Sequence, residues 1–287
     1  MNEILGKTRV AEIVTRMEVS APHIARKAKP GQFVILRVAE EGERIPLTIF
    51  SADARKGAIT LIFQKAGKTT LHLDTLEPGD SLHDLTGPLG NPTHIENVGR
   101  VVSVSGGVGA AIGYPVTRGF KEAGNHVTGI LGARTESLLL LEDELRAISD
   151  EFHVCTDDGS KGRRGFVSDV LGDMIREGNG IDLVIAVGPL PMMKVICDVT
   201  RPHGIRTLVS LDSLMLDGTG MCGVCRVVVG GETKFTCVDG PDFDGHKVDW
   251  DILRLRKSFY AEQEKISKER WLERCECAPA ARTQAGG

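Results

Sequence analysis

The chain has 287 residues, 41% of them hydrophobic and 26% charged, with a net charge of −4 at pH 7. That is the profile of a globular protein with more than one compact unit. With no long basic run, nucleic acid and anionic membrane are set aside as main partners; no apolar stretch reaches the about 18–20 residues of a membrane-spanning helix.

The first segment, MNEILGKTRVAEIV, has no apolar signal region, so a cytoplasmic location is expected. FVILRVA (33–39), PLTIF (46–50), AITLIFQ (58–64) and SLHDL (81–85) read as strands, with KPGQ, ARKG, EPGD and GPLGNP as the turns between them. Short strands at regular spacing predict a small antiparallel β-barrel over residues 1–98.

From residue 100 the pattern becomes strand–helix–strand. RVVSVSGG, HVTGILGAR, EFHVCTDDG and DLVIAVGP are strands; VGAAIGYPVTRGFKEAG, LLLLEDELRAIS, FVSDVLGDMI and PMMKVICDVTRPHG are helical. IRTLVSLDS supplies a last strand, and residues 99–212 read as a doubly wound α/β domain. Residues 213–250 are glycine-rich loops with cysteines and one strand, CRVVVGGETKF, that turns at Gly230–Gly231. The charged segment after Trp250 reads as helical, and the tail APAARTQAGG as frayed.

Gly106, Gly107, Val108 and Gly109 join the first parallel strand to its helix, and Gly188, Pro189 and Met192 follow a later one. Both loops fall at the carboxyl ends of strands, where open α/β sheets bind ligands. Backbone N–H groups at a helix start can hold a pyrophosphate. Asp157 and Asp158 end a third strand and favour ribose hydroxyls over a 2′-phosphate, although Lys161, Arg163 and Arg164 follow closely.

Cys222, Cys225 and Cys237 are spaced C-x2-C-x11-C. Plant-type [2Fe–2S] domains use C-x4-C-x2-C and a distant fourth cysteine. On that spacing the first ligand falls on Asp217. Three readings are open: an iron–sulfur cluster with a carboxylate ligand, a tetrahedral zinc site with the same four residues, or Asp217 as the cap of the DGTG turn. Cys155 and Cys197 read as buried thiols. Cys275 and Cys277 have a C-x-C spacing open to metal or partner contact.

A barrel followed by a doubly wound sheet with GGVG and GPLPM resembles the ferredoxin–NADP reductase superfamily. The resemblance implies FAD on the barrel and NAD(H) on the sheet. ERIPLTIF and QKAGKTT stand where that superfamily carries its flavin segment and phosphate loop. Arg44 would supply charge near the flavin or its phosphates, Thr48 would meet the ring edge, and Leu47 replaces the family tyrosine. Pro46, Ile62 and Gln64 complete the flavin contacts, and Gly67, Lys68, Thr69 and Thr70 would meet the pyrophosphate. Val187 stands where the superfamily often has a cysteine. Hydride passes directly between nicotinamide and flavin, so no catalytic acid or nucleophile is nominated.

A C-terminal cluster loop narrows the resemblance to electron-transfer subunits. One is that of the NAD-linked dihydroorotate dehydrogenase, with cysteine at the position of Asp217. The other is the small subunit of the NADH-dependent reduced ferredoxin:NADP oxidoreductases, whose strings RIPLTI, QxxGKTT, DGTGMCGxCR and VDGPxFDGHxVD recur here. The second implies Asp217 as a ligand and a larger, glutamate-synthase-like partner flavoprotein that carries FAD and [4Fe–4S] clusters and bifurcates electrons. A hydrogenase-type partner and a zinc-stabilised adaptor without redox chemistry are the alternatives. Residues 251–287 form the C-terminal helix and tail.

Overall fold

The computed structural model describes residues 2–277. The tail 278–287 and the side chains of Cys275 and Cys277 lie outside the described residues.

The barrel is built from β1 (Ile4–Ala11), β2 (Val14–Ser20), the short helix α1 (Pro22–Ala25), β3 (Phe33–Arg37), β4 (Arg44–Asp53), β5 (Ala58–Gln64), helix α2 (Lys68–Leu73) and β6 (Asp84–Leu89). The strands lie in the order β1-β2-β5-β4-β3-β6, all antiparallel. The ring closes where Asn2–Ile4 meets Gly79–Leu82 through Ile4 N–H to Asp80 O (2.8 Å) and Leu82 N–H to Asn2 O (3.0 Å). Alternation fills the interior: Ile59, Leu61 and Phe63 of β5 point inward with Val34 and Leu36 of β3. The segment expected as SLHDL is displaced. Ser81 serves the closure, and the strand runs on to Leu89 because Gly87 lets it lie against Val34, where a Cβ would come within 2.8 Å.

The second unit comprises β7 (Arg100–Gly106), α3 (Gly109–Glu122), β8 (His126–Ala133), α4 (Glu142–Ala147), β9 (Glu151–Thr156), the two-residue β10 (Arg163–Arg164), α5 (Val167–Arg176), β11 (Leu183–Val187), α6 (Leu190–Thr200) and β12 (Arg206–Ser210). Its parallel strands run β9-β8-β7-β11-β12, which in chain order is 3-2-1-4-5. The order therefore reverses between β7 and β11, and a crevice opens there at the carboxyl ends. The helix expected over 138–149 is confined to α4. Leu140 and Leu141 are buried ahead of it, and Leu141 takes a left-handed φ of 56°.

The third unit adds a hairpin of β13 (Arg226–Val229) and β14 (Glu232–Phe235), then β15 (Asp242–Asp244), α7 (Trp250–Lys257) and α8 (Ala261–Cys277). β15 joins the parallel sheet antiparallel to β12, so this unit is stitched to the second. The charged C-terminal segment is two helices, parted at residues 258–260. No helix among the described residues is long and apolar enough to cross a membrane.

The barrel meets the α/β sheet through one apolar cluster. Val14, Phe50 and Ile62 from the barrel pack with Ala110, Ala111, Leu131, Leu140, Leu141 and Leu145. Strand alternation makes this possible: Ile45, Leu47 and Ile49 face the barrel core while the next residue, Phe50, points out. There its ring stacks on Tyr114, with centroids 4.9 Å apart.

Candidate functional site

Strand alternation sorts the flavin candidates. Ile45 and Leu47 pack against the barrel core, so Arg44, Pro46 and Thr48 share the outer face. Leu47 thus offers its backbone, rather than its side chain, to anything bound outside. In the register, Pro46 is opposite Ile35 and Thr48 opposite Phe33. Residues directly opposite point to the same side of a sheet, so the face that carries Pro46 and Thr48 continues onto Phe33 and Ile35. Ile62 and Gln64 lie on the outer side of β5, Ile62 within the cluster that faces the nucleotide sheet.

The QKAGKTT segment leads into α2. Its first-turn N–H groups at Lys68 and Thr69 have no partner within the helix, and nothing lies within 4 Å of a Cβ built on Gly67. Thr70 is turned to its own loop: its Oγ1 accepts from the N–H groups of Ala66 (3.0 Å) and Gly67 (3.1 Å). Thr69 Oγ1 donates to Glu43 Oε2 at 2.7 Å, and Lys68 Nζ is 3.5 Å from the same carboxylate. An open glycine, unspent amides and a lysine fit a pyrophosphate.

At the crevice, the two glycine loops touch each other. A Cβ on Gly106 would lie 2.5 Å from Met192 Sδ, one on Gly188 2.6 Å from Met192 Cε, and one on Gly109 2.3 Å from Val187 O. Gly107, with φ 55°, faces open space. Gly106, Gly109 and Gly188 are therefore small because the protein meets itself there, and Gly107 is where a ligand can approach. Val108 packs toward the barrel, and Pro189 precedes α6.

Asp157 and Asp158 follow β9, two strands from the switch point. The Asp158 carboxylate accepts from Ser160 N–H (2.9 Å) and Oγ–H (2.7 Å), which hold it below the usual carboxylate range. The position beside the switch point is the end of β8, where Arg134 is exposed. Sequence reasoning passed over Arg134. The strand order, which alone identifies β8 as the neighbour, is the signal that would have found it.

The cluster loop lies on the barrel. Cys225 and Cys237 are buried with Phe33, Ile35 and Met215, and Leu89 and Phe235 pack around them. A Cβ on Gly218 would lie 2.6 Å from Leu89 and 2.8 Å from Ile35. The Cys225 and Cys237 sulfurs are 3.1 Å apart, while Cys222 is exposed. Burial first, then Cys225, push the Cys237 thiol up to about 12, and the Gly220 N–H opposes them. The Asp217 carboxylate accepts from Thr219 and Cys222 N–H, each at 2.9 Å, and these bonds lower its pKa. Its carboxylate is the cap of the turn here. Among the described residues no three His, Cys, Asp or Glu side chains are already gathered as a metal site. The donors still fit a cluster. Two sulfurs are preset on the barrel, the Gly220 amide favours the thiolate of one of them, and Cys222 and Asp217 are joined by a hydrogen bond on one loop.

Known proteins agree with this division of labour. Residues 3–94 match the oxidoreductase FAD-binding domain, and residues 212–249 the iron–sulfur cluster binding domain of dihydroorotate dehydrogenase B. The cytochrome b5 reductase domain of Ulva prolifera nitrate reductase shares the fold: 20% identity and a TM-score of 0.59, over 71% of this chain and 92% of that one. A solved chain of an NADH-dependent reduced ferredoxin-NADP oxidoreductase, described for insight into flavin-based electron bifurcation, has a TM-score of 0.89 at 47% identity, covering 95% of this chain and 98% of that one. A Thermotoga maritima protein, described as a homologue of the dihydroorotate dehydrogenase B (NAD(+)) electron transfer subunit, is 48% identical over 95% of this chain and 96% of its own length. The chain, an FAD-binding barrel with an iron–sulfur binding domain, belongs to the family of dihydroorotate dehydrogenase B electron transfer subunits and their homologues.

Proposed function

We propose that this chain is the NADH-reacting subunit of a flavin-based bifurcating oxidoreductase, a cytoplasmic heterodimer with a larger, glutamate-synthase-like flavoprotein that carries FAD and [4Fe–4S] clusters. When bound, flavin takes two electrons from NADH as hydride, and a [2Fe–2S] centre passes them on singly. The crevice loops at Gly106–Gly109 and Gly188–Met192 hold the nucleotide, with Asp157 and Asp158 at its edge. Arg44, Pro46, Thr48, Ile62 and Gln64 seat the flavin, with Gly67–Thr70 at its phosphates. Asp217, Cys222, Cys225 and Cys237 are the metal ligands.

One observation carries this reading. The outer face of β4, with Pro46 and Thr48, is continuous with Phe33 and Ile35 of β3, which pack against Cys225 and Cys237. Neighbouring strands are about 4.8 Å apart, so groups held at Thr48 and at Cys225 are neighbours on one surface. Such a layout suits electrons moving from the crevice across β4 to the cluster loop.

The test is cofactor and partner analysis of the native protein. One FAD and about two irons per chain, an EPR signal on reduction and a co-purifying glutamate-synthase-like flavoprotein are expected. Zinc in place of iron would overturn the redox reading. A second reading, dihydroorotate oxidation, is favoured by the match of residues 212–249; a TIM-barrel FMN partner would select it. The ligand assignment has its own test. Asp217→Cys should keep a cluster with an altered spectrum, and Asp217→Ala should lose most of its iron. Full iron and an unchanged spectrum in both variants would leave Asp217 a turn residue.

A further inference from the structure

Two arginines from different elements converge behind the Cys222–Cys225 turn. Arg226, the first residue of β13, donates from Nη1 to Gly223 O at 3.0 Å. Arg256, in the last turn of α7, donates from Nη2 to Val224 O at 3.0 Å. The two carbonyls between Cys222 and Cys225 are thereby both held by guanidinium groups.

That convergence is costly unless something negative answers it. The half-buried Arg256 has its charge disfavoured by burial and by Arg226, and favoured by Cys225. No carboxylate among the described residues pairs with either guanidinium; their side-chain bonds go to backbone carbonyls. The neighbour that favours the Arg256 charge is Cys225, on the sulfur side of the turn.

Peptide geometry adds a second consequence. In a trans peptide the C=O and the following N–H point in opposite directions. Holding Gly223 O and Val224 O toward the arginines turns the N–H groups of Val224 and Cys225 away from them. Hydrogen bonds to cluster sulfurs and the local charge set a cluster's reduction potential.

We propose that Arg226 and Arg256 are positioning residues for the iron–sulfur centre. They aim two amides of the Cys222–Cys225 turn at its sulfurs and place two positive charges behind it, so that the reduced form, one electron more negative, is favoured. This assignment rests on the cluster reading above.

The experiment is an EPR-monitored redox titration of the iron-loaded protein, with iron and FAD per chain measured on the same samples. Arg226→Gln and Arg256→Gln should each shift the midpoint to lower potential with FAD content unchanged. Arg256→Lys keeps the charge without the planar fork and should titrate between Arg256→Gln and wild type. It also provides the decisive comparison if Arg256→Gln fails to fold. Wild-type midpoints in the variants would overturn the proposal, as would lower iron content with the surviving cluster at the wild-type midpoint, the mark of a merely structural role. Wild-type protein without iron would instead overturn the cluster reading and this assignment together.

Discussion

The crevice loops and the cluster loop are both rich in glycine, and the glycines serve opposite purposes. At the crevice, Gly106, Gly109 and Gly188 sit where backbone meets backbone or Met192, beside the fully buried Ala110. In the cluster loop, Gly218, Gly220 and Gly223 have φ of 74°, 80° and 68°, a left-handed backbone that other residues enter at a cost. Around them Met221 is 89% exposed and Leu216 51%. The crevice is shaped by packing before any ligand arrives. The cluster loop has its turns preset by handedness, but only two of its sulfurs lie together.

The largest effect expected from that contrast belongs to Gly109→Ala. The new methyl would lie 2.3 Å from Val187 O and 2.8 Å from the Gly188 backbone, atoms that cannot swing aside. Overpacking of this kind costs about 3 kcal/mol. Thermal unfolding should show the loss with or without nucleotide and iron. A wild-type melting temperature would mean that α3 and β11 are not in contact as described.

Gly220→Ala should be milder in stability and sharper in cofactor. The left-handed φ of 80° costs about 1–2 kcal/mol for alanine, and the nearest obstacle, 2.8 Å away, is the Val238 side chain. Because Gly220 turns the loop between Asp217 and Cys222, the expected outcome is reduced iron per chain with FAD content retained. Full iron occupancy would show that the turn does not depend on this conformation.

The sequence made parts of this layout legible for identifiable reasons. β5 was read over its whole length because Ile59, Leu61 and Phe63 alternate cleanly between turn signals. β1 and β2 have similar spans but a weaker signal, since Lys7 and Arg9 of β1 and Arg16 and Glu18 of β2 dilute the apolar pattern. The ligand spacing was visible because three cysteines are rare enough to count. What could not be read was adjacency between strands. The shared face of β3 and β4, Arg134 beside the switch point and the approach of Arg256 to Val224 all depend on elements distant in sequence becoming neighbours. Leu47 shows the finer limit: its position in the motif was read, but the side to which it points is set by the barrel's alternation.

The smallest effect concerns how the nucleotide sheet is held away from its ligand loops. Asp150, just before β9, accepts from Lys121 Nζ at 2.5 Å and from Val127 N–H at 2.8 Å. Lys121 first, then the Val127 amide, keep its pKa below the ordinary 3.8. A depressed carboxylate contributes stability that is present above the unfolded pKa and lost as pH falls through the folded value. Asp150→Asn keeps an oxygen for Val127 and removes only the charge. Half-exposed as the pair is, screening limits the loss to about 0.5–1 kcal/mol at pH 7. As pH falls below the ordinary 3.8 and through the lower folded value, the wild-type group protonates and the two proteins should converge. A melting-temperature difference that did not shrink at all as pH fell below 3.8 would trace the effect to packing rather than charge. Iron content should not change at pH 7, because Asp150 lies on the α/β sheet, away from the cysteine loop that packs on the barrel.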